Sequence, residues 1–299
     1  QSDIFNKNII SRDIQEITAY GAGIASYVSY KGIEIEDLDI DIKTSNSLHT
    51  SYDLQLAAYA VAWKQTAAEH AALYHQGFNI ARMQVEAAIS KRTDFQKPLA
   101  VISDVDETLL LSNSYWGYMV SSGNDFFNDA EWDDWVEEDL FTSSPGSLEF
   151  AEFCRLNDVD IFYVTNRDQG ESTFDLARRN LQTAGFGSIE SDHLIVLRES
   201  SNKEVIQQQI MQDYEVVVLL GDNLNDFSRD YYVTDVDERR LLASENRRNF
   251  GAKNIIFPNP TDGHWIRAIF GESEPPASNT NREMLHSAAS RSAWQKAQN

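Results

Sequence analysis

Five short runs of apolar, β-branched or aromatic residues recur along this chain, at 99–103, 160–164, 194–197, 216–220 and 254–257. Between them lie stretches with helical spacing, at roughly 145–157, 171–184, 202–212 and 235–249. Strands buried on both faces read as continuous apolar runs, and the helices that cross between parallel strands read as periodic ones. The alternation therefore predicts an α/β fold built on a doubly wound parallel sheet. Ligand chemistry in such sheets gathers beyond the carboxyl ends of the strands. The residues that follow each run are the ones to read for function.

The remainder of the chain divides around this core, taken as 98–270. Residues 1–50 are polar and weakly patterned, an N-terminal extension with one short helix expected near 11–30. Residues 51–97 are alanine-rich with Leu56, Tyr59, Ala60, Trp63 and Ala67 at helical spacing, which predicts two helices packed on the core and broken near Gln76 and Gly77. Pro98 ends this region and opens the first strand. Residues 112–144 are rich in aromatics and acids and fit no simple crossover; they are expected to form a small cap over the active edge. The tail, 271–299, carries prolines, serines and asparagines and is expected to be loosely held.

Acidic residues outnumber basic ones 47 to 25, a formal net charge of −22. Such a surface argues against a nucleic-acid polymer or an anionic membrane as partner. It also means that an anionic substrate needs a local positive site, met most simply by a metal ion and a lysine. Cys154 is the one cysteine, so an intrachain disulfide and a cysteine-based zinc site are both excluded. No run of 18 apolar residues is present to span a membrane, and nothing stands against a homo-oligomer. The first residues, Gln-Ser-Asp-Ile-Phe, read as a processed chain, a weak pointer to export.

Four polar clusters follow strand runs. They are Asp104-Val-Asp106-Glu-Thr108, Thr165-Asn166-Arg167, Ser201-Asn202-Lys203, and Gly221-Asp222-Asn223-Leu-Asn225-Asp226. Two carboxylates one residue apart on an extended chain point to opposite sides of it, so one can attack while the other handles protons. That arrangement suits phosphoryl transfer through an aspartyl-phosphate, with Asp104 as nucleophile and Asp106 as general acid and base. A carboxylate approaches a phosphate ester only if the repulsion is cancelled. Mg2+ held by Asp104, Asp222 and the backbone carbonyl of Asp106 would cancel it. Thr165 would offer a hydroxyl and backbone N–H groups to the phosphoryl oxygens, and Lys203 a point charge. Asp226 would hold the metal's waters or Lys203 from behind. Taken singly, an Asp-x-Asp is usually a solvated turn and a lysine after Ser-Asn a surface residue. Four clusters at strand ends in this order are not explained that way.

The same order of motifs resembles the haloacid dehalogenase superfamily. More closely it resembles the class C non-specific acid phosphatases, the bacterial lipoprotein e type of acid phosphatase and 5′-nucleotidase. The likeness covers roughly 53–270. It takes in Trp63-Lys-Gln-Thr-Ala-Ala-Glu69 in the leading helix, and Glu238-Arg239-Arg240, Phe250-Gly251-Ala-Lys253 and Phe257-Pro258-Asn259 downstream. The resemblance implies a magnesium-dependent phosphomonoesterase acting on small phosphate esters, nucleoside 5′-monophosphates among the candidates. It implies metal at Asp104, Asp106 and Asp222, substrate binding by Thr165, Asn166 and Lys203, and Asp226 completing the acidic set. It also implies a periplasmic, outer-membrane-associated or secreted location in a bacterium. A non-catalytic storage or binding protein on the same scaffold is the alternative, and the presence of Asp104 weighs against it.

Substrate choice is where the chain departs from this pattern. Trp132 stands where the family places one aromatic face for a nucleobase, and stacking is a sensible way to hold any base. The partner tyrosine is replaced by Asp262 in Thr261-Asp262-Gly263-His264-Trp265. A carboxylate cannot stack and repels phosphate. Trp132 and Trp135 are also spaced as a helix packing face would have them, so a packing role competes with the binding role. His70 and His75 do not share a helix face, Cys154 reads as a buried inert thiol, and His264 reads as a surface-loop residue, with a place lining the pocket beside Asp262 as the alternative. The acidic run 131–139 reads as a solvated cap surface, and Gly21-Ala-Gly23 is too short to cradle phosphate.

Overall fold

Strand β1, Leu99–Ser103, is buried along its whole length and lies at the centre of a five-stranded sheet. A computed structural model describes residues 50–93 and 96–294. The expected N-terminal extension over 1–49, including the helix near 11–30, lies outside the described residues. Strand β4 (Asp160–Asn166) pairs with one side of β1 and β6 (Glu215–Gly221) with the other, while β5 (Leu194–Leu197) and β7 (Asn254–Ile256) form the edges. All four pairings are parallel, with Ser103 opposite Tyr163 on one side and Leu220 on the other. The predicted doubly wound sheet is the one observed.

Alternation along β1 builds two cores. Leu99 and Val101 join the larger, with Tyr163, Val218, Leu220 and Phe257; Ala100 and Ile102 join the smaller, with Phe162, Val164, Leu219 and Phe227. Helices cover both faces, which is why the strands carry few polar residues.

Two helices precede the sheet: α1 (Thr50–Thr66) and α2 (Ala68–Lys91). The break falls at Ala67, and α2 runs unbroken through Gly77, which corrects the expected break at 76–77. Gly77 serves a packing contact instead: a Cβ there would lie 2.5 Å from Cε1 of Phe257. Phe257 stacks on Tyr74 and packs against Phe78 of the same helix. Isolated helical glycines are punctuation only when nothing packs on them.

The insertion after β1 forms a short antiparallel ribbon, β2 (Leu110–Leu111) with β3 (Thr142–Ser143), that carries α3 (Asn113–Ser121) and α4 (Asp129–Glu137). Tyr115, Phe127, Trp132, Trp135 and Phe141 form one aromatic cluster inside it. Trp135 is buried and its indole N–H donates to Ser114 Oγ (3.0 Å). Beyond this cap come α5 (Ser147–Leu156), with Cys154 buried as expected, then α6 (Thr173–Leu181), α7 (Glu204–Asp213) and α8 (Val236–Glu245). A short helix α9 (Trp265–Phe270) follows β7. The tail then forms α10, Asn279–Ser290, capped by Ser278, whose side chain accepts from the N–H of Asn281. Its Arg282 forks onto Asp125 of the cap at 2.6 and 3.0 Å. For the described part of the tail the expectation of loose holding is corrected: a Ser cap opens a helix, and an ion pair fastens it.

Candidate active site

Asp104 leaves the end of β1 at the centre of the sheet, its N–H still bonded to Leu220 of β6 (2.9 Å). The carboxylate is 7% exposed and both its oxygens are engaged. Lys203 donates to Oδ1, and the Thr108 hydroxyl donates to Oδ2 at 3.0 Å. The turn between them passes through Glu107, a non-glycine residue with φ of 59°. A left-handed conformation there costs on the order of 1–3 kcal/mol. It is held because Glu107 is tied down on every side. Its side chain pairs with Lys64 of α1 and accepts from the N–H of Ser112 (2.9 Å), and its carbonyl accepts from the Tyr74 hydroxyl.

Asp106, one residue on and partly exposed, is held by a different set. Arg167 grips both its oxygens, through Nε to Oδ2 at 2.7 Å and through its terminal nitrogen to Oδ1, and Thr165 Oγ1 donates to Oδ2 at 2.8 Å. Arg167 is itself anchored on Asn180 (2.7 Å), which donates in turn to Asp139 of the cap (2.7 Å). Thr165 thus orients Asp106 through its hydroxyl. Asn166 lines the cleft; with its amide oriented by the surrounding hydrogen-bond network, its nitrogen donates to the carbonyls of Ser200 (2.8 Å) and Leu197 (3.2 Å).

Lys203 opens α7 and is buried between two carboxylates, donating to Asp104 and, at 2.8 Å, to Asp226. Burial alone would lower its pKa, but the facing carboxylates of Asp104 and Asp226 outweigh burial and hold it above the ordinary lysine value. Asp226 folds back against the end of β6, where Asn223 donates its N–H to Oδ2 (2.9 Å). Gly221 makes room for this: a Cβ there would lie 2.5 Å from Cβ of Asp226. Asp222 accepts from Asn223 Nδ2 and from Asn259 Nδ2, each at 2.7 Å, and from Thr108 at 3.4 Å. Burial first, then the neighbouring carboxylates, push its pKa well above the ordinary aspartate value. Burial also raises Asp104, with Lys203 pulling the other way and Asp226 and Asp106 adding to the rise, to about 7.

The donor set fits a hard divalent cation. One oxygen each from Asp104, Asp222 and Asp226 lies within 4.8 Å of the others. Three carboxylates share one ammonium, so the cluster carries surplus negative charge in a place where water is scarce. Asp106 is outside this imbalance because Arg167 answers it.

These groups form the floor of a cleft of about 810 Å³. Trp132 lines it while packing edge-on to Tyr115 (5.1 Å between ring centroids) and Phe141 (5.7 Å), half-buried. Asp262 lines it too and accepts from Asn259; burial and the nearby Glu107 raise its pKa to about 6 against the pull of Lys64. His264 is half-buried in the cleft wall with Asp262, the alternative to the surface-loop position. Its N–H donates to Asn223 Oδ1 (2.8 Å), its ring sits 5.1 Å from Tyr232, and burial depresses its pKa to about 4.

A family model described as HAD superfamily, subfamily IIIB (acid phosphatase) matches residues 25–265. The chain belongs to this family. Two solved structures extend the match. The class C acid phosphatase from Bacillus anthracis with tungstate bound is 30% identical, covers 78% of this chain and 96% of its own, and superposes with a TM-score of 0.70. A second structure of the class C acid phosphatase from Bacillus anthracis is 29% identical, covers 80% and 96%, and gives a TM-score of 0.69. The chain is therefore a phosphatase on a haloacid dehalogenase-like scaffold, and the storage-protein alternative has no support. Phosphatases of this superfamily use a divalent metal, and the acidic cluster for one is present. No helix among the described residues is long and apolar enough to cross a membrane.

Motif reading missed several residues of this acid phosphatase. Arg167 was visible beside Thr165 but carried no signal of its contact with Asp106. Asn259, which steadies Asp222, lies in the Phe257-Pro258-Asn259 segment noted only as a likeness. The Lys64–Glu107 pair joins two motifs whose partnership no spacing rule reveals.

Proposed function

We propose that this phosphatase hydrolyses phosphate monoesters through an aspartyl-phosphate on Asp104, with Mg2+ as cofactor. The observation that carries the reading is the division of labour between two carboxylates on one turn: Asp104 buried against Lys203, Asp106 clamped by Arg167 and Thr165. The ester's phosphate would lie against Asp104 with Lys203 facing its oxygens. A carboxylate oxygen of Asp104 attacks phosphorus as the ester P–O bond breaks, and Asp106 gives a proton to the departing oxygen. Water then loses a proton to Asp106 and attacks phosphorus. Phosphate leaves and Asp104 is restored. Arg167 keeps Asp106 aimed throughout, since a two-pronged guanidinium contact fixes both oxygens of a carboxylate.

Asp104, Asp222 and the backbone carbonyl of Asp106 would hold the magnesium ion, with Asp226 behind them. Bound there, the ion supplies the positive charge that lets an anionic nucleophile meet an anionic ester. Tungstate in the Bacillus anthracis enzyme supports an oxyanion site on this scaffold. Nucleoside 5′-monophosphates are among the proposed substrates, with Trp132 as the one stacking face because Asp262 offers no second ring. An extracytoplasmic location is part of the same proposal and rests on the family.

Phosphate release from aryl, sugar and nucleoside phosphates tests this directly. Asp104→Asn should lower kcat at least about 10^3-fold, and a chelator should stop turnover until Mg2+ is restored. An Asp104→Asn enzyme at the normal rate would end the proposal. Trp132→Ala should reduce kcat/KM for nucleoside monophosphates selectively; equal losses on sugar phosphates would assign Trp132 to packing.

A further inference from the structure

The family match ends at residue 265, yet the cleft over the catalytic carboxylates is also lined by residues beyond it, among them Phe270, Glu274, Pro275, Leu285 and Ala289. Two of these, Leu285 and Ala289, stand four apart on α10 and so share one face of that helix. Facing the cleft from the cap are Phe126 and Trp132, and Phe126 meets Phe270 edge-on with ring centroids 5.9 Å apart. Apolar side chains from two separate parts of the chain thus form a patch of the wall above the charged floor, beside the acidic side chains of Asp129, Asp133 and Glu274.

The helix is fastened to this place. Arg282, one turn before Leu285, forks onto Asp125, the residue preceding Phe126. The Asp125 side chain is 4% exposed and that of Arg282 is 20% exposed, so the pair is shielded from water and unlike a solvated surface pair. Arg291 also meets Asp237 of α8 at 2.8 Å, but both of those side chains are well exposed. Of these two ion pairs, the Asp125 contact is the shielded one, and it ties the helix to the cap.

We propose that α10 is a specificity element, in which Leu285 and Ala289 form the wall against which a bulky apolar leaving group packs, and Arg282 is the positioning residue that holds the wall at Asp125. The proposal rests on the phosphatase reading, because it places the ester phosphate on the floor and the organic group above it. Apolar contact of this kind discriminates between leaving groups by their buried area and does little for a small polar one. The ligand class follows: phosphate monoesters of aryl or similarly flat, uncharged alcohols should be preferred over glycerol phosphate.

The test compares kcat/KM for naphthyl phosphate and glycerol phosphate in the full chain. Leu285→Ala should lower the ratio of the two constants about 5- to 20-fold, and Leu285→Met, which conserves volume, should restore it. Arg282→Gln should lower the same ratio by releasing the helix. A merely structural role would depress both substrates together and leave the ratio alone. An unchanged ratio in both Leu285→Ala and Arg282→Gln, with glycerol phosphate still hydrolysed, overturns the proposal and leaves the phosphatase reading standing. If the unaltered chain released phosphate from neither ester, the underlying reading would fail, and this one with it.

Discussion

Two buried ionic clusters flank the turn that follows β1, and they are built on opposite principles. In the first, Glu107 meets Lys64, with side chains 3% and 0% exposed, and Ser112 completes the acceptor. One negative charge is in direct ion-pair contact with one positive charge. In the second, Asp104, Asp222 and Asp226 share Lys203. A balanced pair in low dielectric is self-sufficient and locks a conformation, here the left-handed Glu107 that lets the chain turn after Asp104. A cluster with surplus charge is costly by itself, and the surplus is relieved either by protonation, as the raised Asp104 and Asp222 pKa values express, or by a bound cation. Burial and charge are common to both; the sign of what is left over separates structure from chemistry.

Removing the lysine from each cluster should break the two in different ways. Lys203→Met should lower kcat/KM on the order of 10^3- to 10^4-fold, since it would delete the point charge proposed to face the phosphoryl oxygens. Steady-state phosphate release measures this. A loss below tenfold would show that Lys203 only fills space. Lys64→Met should instead appear as stability, about 3–5 kcal/mol in a denaturant melt, because Glu107 is left buried and unpaired. A chain that melts normally after this change would place the turn's support elsewhere.

The smallest effect comes from pH and metal together. In the metal-free chain Asp104 titrates near 7 and Asp262 near 6, both above the ordinary 3.8. The folded chain thus binds these protons more tightly than the unfolded chain does. Their contribution to stability is complete below about pH 4 and is lost as pH rises through 6 and 7. A divalent cation would compete with the proton for Asp104 and its neighbours Asp222 and Asp226, and would bind best once they are ionised. At a hundredfold excess over its dissociation constant it should add about 2.7 kcal/mol. The rise in melting temperature on adding Mg2+ should therefore be larger at pH 7 than at pH 5. An equal rise at both would mean that the ion binds away from this cluster.

The same contrast explains how far the residues could be read in advance. The strands were legible because burial on two faces leaves no alternative to a continuous apolar run, as in Leu99–Ser103. Asp104, Asp106, Lys203, Asp222 and Asp226 were legible because each follows such a run, and strand ends are where a parallel sheet presents side chains together. Arg167 was not, because its role is to hold another side chain, and a lone arginine looks the same whether it does so or not. Gly77 was misread for a similar reason: local preference says break, and only Phe257 packed against it says otherwise. The tail was misread because composition alone does not reveal that Arg282 has a buried partner in the cap.

The amino-acid order by itself determined the parallel sheet, its strand ends and the identity of the acidic side chains there, since periodicity and polarity are local properties of a chain. Which charges are answered and which are left over was decided only in three dimensions. So was the placing of α10 over the cleft. Electrostatic balance and cavity shape depend on distances between residues far apart in the chain, and those distances exist only after folding.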